Sequence, residues 1–288
     1  MVYSLITILF IITLVLFFLF KLMLKSFLNK ERIHRKNPAD IGIPFEEISI
    51  PTKNNCKLYG WLIKVDTGFP TLVMMHGWGR NVERVLPYIR QLNSKDYNLL
   101  AFDSRHHGSS DKDDFSTMVK FAEDISASVD FVVENEYFKN PSIGVIGLSI
   151  GGAASIYAAA HDERIKSVVT VGAFADPMDI MKLQLMQHHI PYIPIGWMVL
   201  QYIQKQVGFK FTDVAPEKHM KNSSAEFLLI HGDEDVKIPL SHFHRLIESS
   251  DRGKVSSWEI AGRGHSDCHL EDGFWLKIKD HFDRTLKD

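Results

Sequence analysis

One six-residue run constrains this chain more than any other feature. It is Gly147-Leu148-Ser149-Ile150-Gly151-Gly152, between an apolar strand signal at 142–147 and a small-residue helix signal at 151–160. A serine in this setting suits a sharp strand-to-helix turn, because larger flanking side chains would hold strand and helix apart. The turn lifts the hydroxyl clear of the backbone at a helix N-terminus, where the helix dipole favours developing negative charge. An ordinary glycine turn has no need of the strand before it, the helix after it and the extra Gly152 together.

The rest of the body repeats the same alternation. Strand signals fall at 45–50, 58–65, 71–75, 98–102, 142–147, 166–171, 226–230 and 254–260. Helix signals fall at 82–92, 115–135, 151–160, 240–249 and 274–286, with Phe121, Ile125, Val129 and Val132 on one face of the second. Strands alternating with helices predict an α/β fold: a mainly parallel eight-stranded sheet covered by helices on both faces. Between 173 and 224 the alternation stops, and some fifty residues carry no clean strand. An insertion of this length is too long for an ordinary loop. Its Met and aromatic residues suit either a helical lid with an acyl-binding wall, for which Met181, Met186 and Trp197 are the candidates, or plain packing onto the body.

A serine hydroxyl is a weak nucleophile near neutral pH and needs a base within hydrogen-bond reach. Partners of a serine on such a turn follow it in the order Asp or Glu, then His. Of fourteen histidines, His265 has the favoured place, in the glycine loop Gly262-Arg263-Gly264-His265 after the last strand and before the final helix. His231, at a strand end, and His269, early in that helix, are its rivals. Asp235, in His231-Gly232-Asp233-Glu234-Asp235, is preferred to Asp233 because it lies further into the turn. Its hydrogen bond would set the imidazole tautomer and stabilise the imidazolium formed during attack. A tetrahedral oxyanion needs backbone N–H donors, and these are expected from Ile150 and from Trp78 in the loop His76-Gly77-Trp78-Gly79. Asp103 and Arg105, in Asp103-Ser104-Arg105-His106-His107-Gly108, are read as bracing that oxyanion turn.

The N-terminus stands apart. Residues 1–20 carry no charge and would extend about 30 Å as a helix, the thickness of a bilayer's hydrocarbon core. No Lys or Arg precedes the run and no small-residue cleavage site follows it, so residues 1–24 are expected to be an uncleaved transmembrane anchor. Lys21, Lys25, Lys30, Arg32, Arg35 and Lys36 all follow it, which predicts a single-pass cell-membrane protein with its body in the cytoplasm. Residues 25–44 read as a basic juxtamembrane linker, whose charges suit a solvated stem, attraction to anionic lipid, or both. Residues 45–288 form the globular body. The net charge of −2 gives no footprint for nucleic acid, and Cys56 and Cys268, far apart, are expected to be free thiols.

Four segments together resemble the α/β-hydrolase superfamily: HGWG at 76–79, DSRHHGSS at 103–110, GLSIGG at 147–152, and HGDEDVKIP with GRGH at 231–239 and 262–265. The chain is most similar to the branch of serine aminopeptidases and prolyl-oligopeptidase-like hydrolases, including membrane-tethered bacterial forms. The resemblance covers roughly residues 45–288. It implies acyl transfer to water through an acyl-enzyme, with no metal and no cofactor, on a Ser149–Asp235–His265 triad with Trp78 and Ile150 as oxyanion donors. His106 stands where that branch has Gly, outside the triad. Because the fold serves esters, thioesters, lipids and peptides alike, it does not select a substrate. The Met-rich insertion and the apolar N-terminus favour a small-molecule or lipid ester. Asp176, Asp179, Asp213 and Glu217 keep a peptidase in play. A scaffold that had lost the reaction would be expected to lack a triad member, and here every one is present.

Overall fold

Short aliphatic runs, too apolar for either face to meet water, form the centre of the molecule. In the computed structural model, residues 32–93, 96–139 and 141–287 are described, together with Tyr3, Ile6, Thr7, Phe10 and Leu14. Eight strands make one sheet: β1 (Glu46–Pro51), β2 (Lys57–Ile63), β3 (Thr71–Met75), β4 (Asn98–Phe102), β5 (Ile143–Leu148), β6 (Ile165–Val171), β7 (Glu226–Gly232) and β8 (Val255–Ile260). Their order is β1-β2-β4-β3-β5-β6-β7-β8. The β1–β2 and β2–β4 pairs are antiparallel and every other pair is parallel. The sheet is therefore mixed, with a parallel majority.

Alternate side chains of each strand feed two cores, as the two-residue period of a strand requires. Val73, Met75, Leu100, Phe102 and Val145 face one layer of helices, α2 (Met118–Glu134), α3 (Ile150–Ala159) and α7 (Leu240–Glu248). Leu72, Met74, Leu99, Ala101 and Ile146 face the other, α1 (Leu86–Leu92) and α8 (Phe274–Leu286). The helix expected at 82–92 divides in two, a 3-10 turn at Val82–Val85 and then α1. Pro87 near its start has no N–H to continue an α-helical ladder from the preceding turn. The helix expected from 115 begins at Met118, because the Thr117 side chain accepts from Lys120 N–H and caps it there.

The insertion is helical. It holds α4 (Pro177–Gln187), α5 (Trp197–Val207) and the short α6 (Pro216–His219). Leu185, Leu200 and Phe211 bind the first two into a small core of their own.

The expected anchor at 1–24 lies outside the described residues except at Tyr3, Ile6, Thr7, Phe10 and Leu14, which are helical. Among the described residues no helix is long and apolar enough to cross a membrane. The basic linker is described from Arg32 onward, where the side chains of Arg32, Arg35 and Lys36 are exposed while the backbone is tied to the body. Asn81 Nδ2 donates to Arg32 O at 3.2 Å, and the Arg35 and Lys36 N–H groups both donate to Glu83. His34 lies 2.7 Å from Asp103 and stacks on Tyr59. Burial works against a charge on His34, but its bond to Asp103 outweighs this and raises the imidazole pKa.

Because β3 to β8 run parallel, the loops after them emerge along one rim of the sheet. In open α/β sheets that rim is where ligands bind.

Candidate active site

The turn after β5 is as tight as its glycines require. Ser149 adopts φ 57 and ψ −121, a conformation that costs a non-glycine residue about 1–3 kcal/mol. A Cβ on Gly151 would lie 2.6 Å from His76 O, and one on Gly147 would lie 2.3 Å from Gly151 O. Neither position admits a side chain. Ser149 N–H donates to Val171 O at 2.9 Å, which ties the turn to β6.

Three loops of the rim converge on that serine. His265 Nε2 lies 2.9 Å from Ser149 Oγ, and His265 Nδ1 lies 2.6 Å from Asp235 Oδ2. The other carboxylate oxygen of Asp235 accepts the N–H groups of Lys237 and Ile238, both at 2.9 Å, leaving Oδ2 for the imidazole. Burial pushes the Asp235 carboxyl upward, but the hydrogen bond and charge of His265 and the Ile238 N–H together hold it below its ordinary value. Asp235 is thus an ionised acceptor.

The rival residues have other work. Asp233 Oδ1 accepts Gly262 N–H at 2.7 Å and so braces the loop that carries His265. His231 is buried, donates Nε2–H to Ile238 O at 2.8 Å, and has its pKa lowered by burial. His269 sits in a 3-10 turn, Cys268–Leu270, ahead of α8.

The loop after β3 lies against Ser149: a Cβ on Gly77 would be 3.3 Å from Ser149 Cβ. Ile150 opens α3, so its N–H is among the donors that a helix start leaves without an intrahelical partner. Two neutral histidines fasten the Gly77–Gly79 turn. His76 donates Nδ1–H to Gly77 O at 2.8 Å and accepts Ser104 N–H at 3.1 Å. His107 accepts Gly79 N–H at 3.2 Å and donates Nδ1–H to Arg105 O at 3.1 Å. Burial lowers both imidazoles, and with the neighbouring His76 it takes His107 down to about 3. Asp103 accepts Val82 N–H at 2.6 Å and Ser109 N–H at 2.9 Å. Arg105 is buried and held by Asp124 Oδ1 at 2.7 Å. His106 takes φ 66, where glycine is unstrained, and bonds through Nδ1 to Asp113 O at 2.8 Å.

Residues 70–260 match the family described as alpha/beta hydrolase fold. The chain belongs to that family. Among relatives of this alpha/beta hydrolase, an uncharacterized membrane protein of Saccharomyces cerevisiae is 22% identical over 267 residues, covering 90% of this chain and 87% of the relative. The thiohydrolase aneE of Aspergillus aculeatus is 30% identical over 130 residues, a match that spans 44% of this chain and 41% of the thiohydrolase. Among solved structures, an esterase of Pyrococcus furiosus superposes with a TM-score of 0.73 at 20% identity, covering 90% of this chain and 97% of the esterase. At that identity the likeness is one of fold.

In this alpha/beta hydrolase a cavity of about 770 Å³ opens onto Ser149 and His265. Phe174, Ile180, Met181, Ile203 and Val207 give it an apolar wall beneath α4 and α5. Of the three substrate-contact candidates in the insertion, only Met181 lines it. Met186 and Trp197 are 66% and 50% exposed and face away. On α4 a separation of five residues turns Met186 about 140° from Met181.

Gly172 is a residue of the site that motif reading missed. At φ +64 it passes under the imidazole, and a Cβ there would lie 3.2 Å from His265 Nδ1 and 3.5 Å from Asp235 Oδ2. No motif marks it; the only sequence signal is a glycine directly after β6, the strand beside β5.

Proposed function

We propose that this chain is a membrane-anchored serine hydrolase that cleaves carboxylic esters of apolar acyl chains through an acyl-enzyme on Ser149. The observation that carries the reading is the relay of short contacts from Ser149 Oγ to His265 Nε2 at 2.9 Å and from His265 Nδ1 to Asp235 Oδ2 at 2.6 Å. In this reading His265 removes the hydroxyl proton as Oγ attacks the ester carbonyl. Asp235 fixes the tautomer and stabilises the imidazolium. The Trp78 and Ile150 N–H groups receive the oxyanion, a contribution of about 10²–10³ in turnover per donor. His265 then protonates the leaving alcohol, and water, activated by the same imidazole, releases the acid. The reaction as written uses no metal and no cofactor.

The apolar wall under α4 and α5 supports an acyl substrate, and in this reading the same two helices act as a lid over the cavity. A peptidase on this site would need a free carboxylate for the substrate's amine. Asp176, Asp179 and Glu217 are instead gathered on Arg245, at 3.9, 2.7 and 2.7 Å, and neither they nor Asp213 line the cavity. That grouping favours esters over peptides. The anchor at 1–24, with the body on the cytoplasmic side, rests on the uncharged run and the basic residues after it. The description of the yeast relative as a membrane protein lends it support.

The test is covalent labelling of the purified protein with a fluorophosphonate probe. Wild type is expected to label and Ser149→Ala to be blank. An equal signal from both proteins, or none from folded wild type, would sink the assignment.

A further inference from the structure

Away from the triad, the cavity is electrically lopsided. Arg80, Arg84 and Lys237 line it against a single carboxylate, Asp114, and that carboxylate is already paired with Lys120. Among the described residues neither arginine has a carboxylate partner. Arg80 is further crowded by two like charges: burial, then Arg32, then Arg84 push its guanidinium pKa down. A surface arginine is ordinarily free to swing away from such repulsion, but Arg84 is tethered. Its guanidinium donates to Ser266 O at 2.8 Å. Uncompensated positive charge facing a cavity, beside a nucleophile, is a standing attraction for an anion.

The tether also indicates which half of a substrate the anion belongs to. Ser266 directly follows His265, the group that hands its proton to the departing oxygen. The leaving group therefore sits on the His265 side, beside Arg84. The apolar wall of Phe174, Ile180, Met181 and Ile203 belongs to the insertion and β6–α4 connection. One cavity thus offers an apolar wall and a cationic one.

We propose that Arg80 and Arg84 form an anion subsite for the leaving-group half of the substrate, so that the ester cleaved joins an apolar acyl chain to an alcohol bearing a phosphate. The inference rests on the serine hydrolase reading above. Two guanidinium forks suit phosphate oxygens, which accept paired N–H donors. The chemistry stays balanced: the acyl C–O bond breaks as Oγ–acyl forms, the serine proton goes through His265 to the leaving alkoxide, and the phosphate is untouched. The alcohol leaves as a phosphorylated alcohol, and water regenerates Ser149 with release of the carboxylic acid.

The experiment compares two soluble esters with the full-length protein in neutral detergent, 1-butyrylglycerol and 1-butyrylglycerol 3-phosphate. The phosphorylated ester is expected to have a kcat/KM about 10-fold or more above the neutral one, expressed mainly in KM. Arg80→Gln is expected to reduce that ratio about 10-fold, and Arg252→Gln, an exposed charge on another face, to leave the ratio as in wild type. The same phosphate ester with a long acyl chain in phosphatidylcholine vesicles separates the two sources. A faster rate there assigns the anion to a lipid headgroup, and a faster rate on the soluble ester assigns it to a free phosphorylated alcohol. A wild-type ratio near one, or an Arg80→Gln effect equal on both esters, overturns the subsite while fluorophosphonate labelling leaves the hydrolase standing. Failure to label and to cleave either ester would remove both.

Discussion

Gly172→Ala isolates the packing beneath the proposed base from every polar contact the base makes. Two effects follow from the one methyl group. At φ +64 an L-residue pays about 1–2 kcal/mol in backbone strain, a loss of about 2–8 °C in melting temperature for a chain of this size. Separately, the new carbon would stand 3.2 Å from His265 Nδ1 and 3.3 Å from Cε1, so the ring must retreat by a few tenths of an ångström. That ring spans contacts of 2.6 and 2.9 Å, and it cannot retreat without lengthening one of them. Misplacement of reacting groups costs on the order of 10²-fold per ångström; scaled to this displacement, kcat falls about 5-fold. Gly172 is not part of the cavity wall, so KM for a soluble short ester should hardly move. The assay is steady-state hydrolysis normalised to fluorophosphonate-titrated sites, alongside a thermal melt. Gly42→Ala is the control: it has φ +76 with nothing within 4 Å of the new carbon, so it carries the strain without the contact. If both variants lose the same stability and the same fraction of kcat, the contact under the imidazole does no positioning and the reasoning fails.

Two further expectations concern stability and location. His281 is buried against Ser167, and burial, then the charge of Arg284, takes its pKa down to about 4. The folded state therefore keeps it neutral while the unfolded chain protonates near 6.5. This stability is complete above pH 6.5 and drains away as pH falls to 4, about 3 kcal/mol in all, with a slope near 1.4 kcal/mol per pH unit. Urea unfolding of His281→Gln across that window should show a slope shallower by about one proton, and an unchanged slope would remove His281 from the acid sensitivity. Removal of residues 1–31, just before the docked Arg32, should free the protein from membranes with fluorophosphonate labelling retained. Membrane fractionation that still finds it in the pellet would refute the anchor.

Most of the sheet was legible in the sequence because its strands announce themselves by burial on both faces. The run at 71–75 and the run at 98–102 coincide with β3 and β4 residue for residue, since the polar residue of each, Thr71 or Asn98, stands at its first position and the rest are apolar. Helix starts were less legible where a cap decides them, as Thr117 does for α2. The three polar residues of the proposed triad were legible from chain order and glycine context. Their neighbours were not. Gly172 matters through a positive φ and a close approach, properties of a backbone path that no local pattern encodes. Composition points to Met186 and Trp197, yet contact with the cavity depends on helix phase and on how α4 and α5 seat against the body. Arg84 reaches Ser266 across 182 positions of sequence, and a contact that long is fixed only by the finished topology.

The same long-range closure has a consequence for the order in which the molecule is made. Ser149 and His265 are separated by 116 residues, and β6, the helical insertion and β7 all intervene. At a ribosomal pace of about 5–20 residues per second, that stretch takes roughly 6–23 s to synthesise. Throughout that interval the nascent chain holds its serine without the proposed base. No N-terminal fragment ending before residue 265 contains a complete relay, so on the proposed mechanism prematurely terminated chains carry a serine without its activating base.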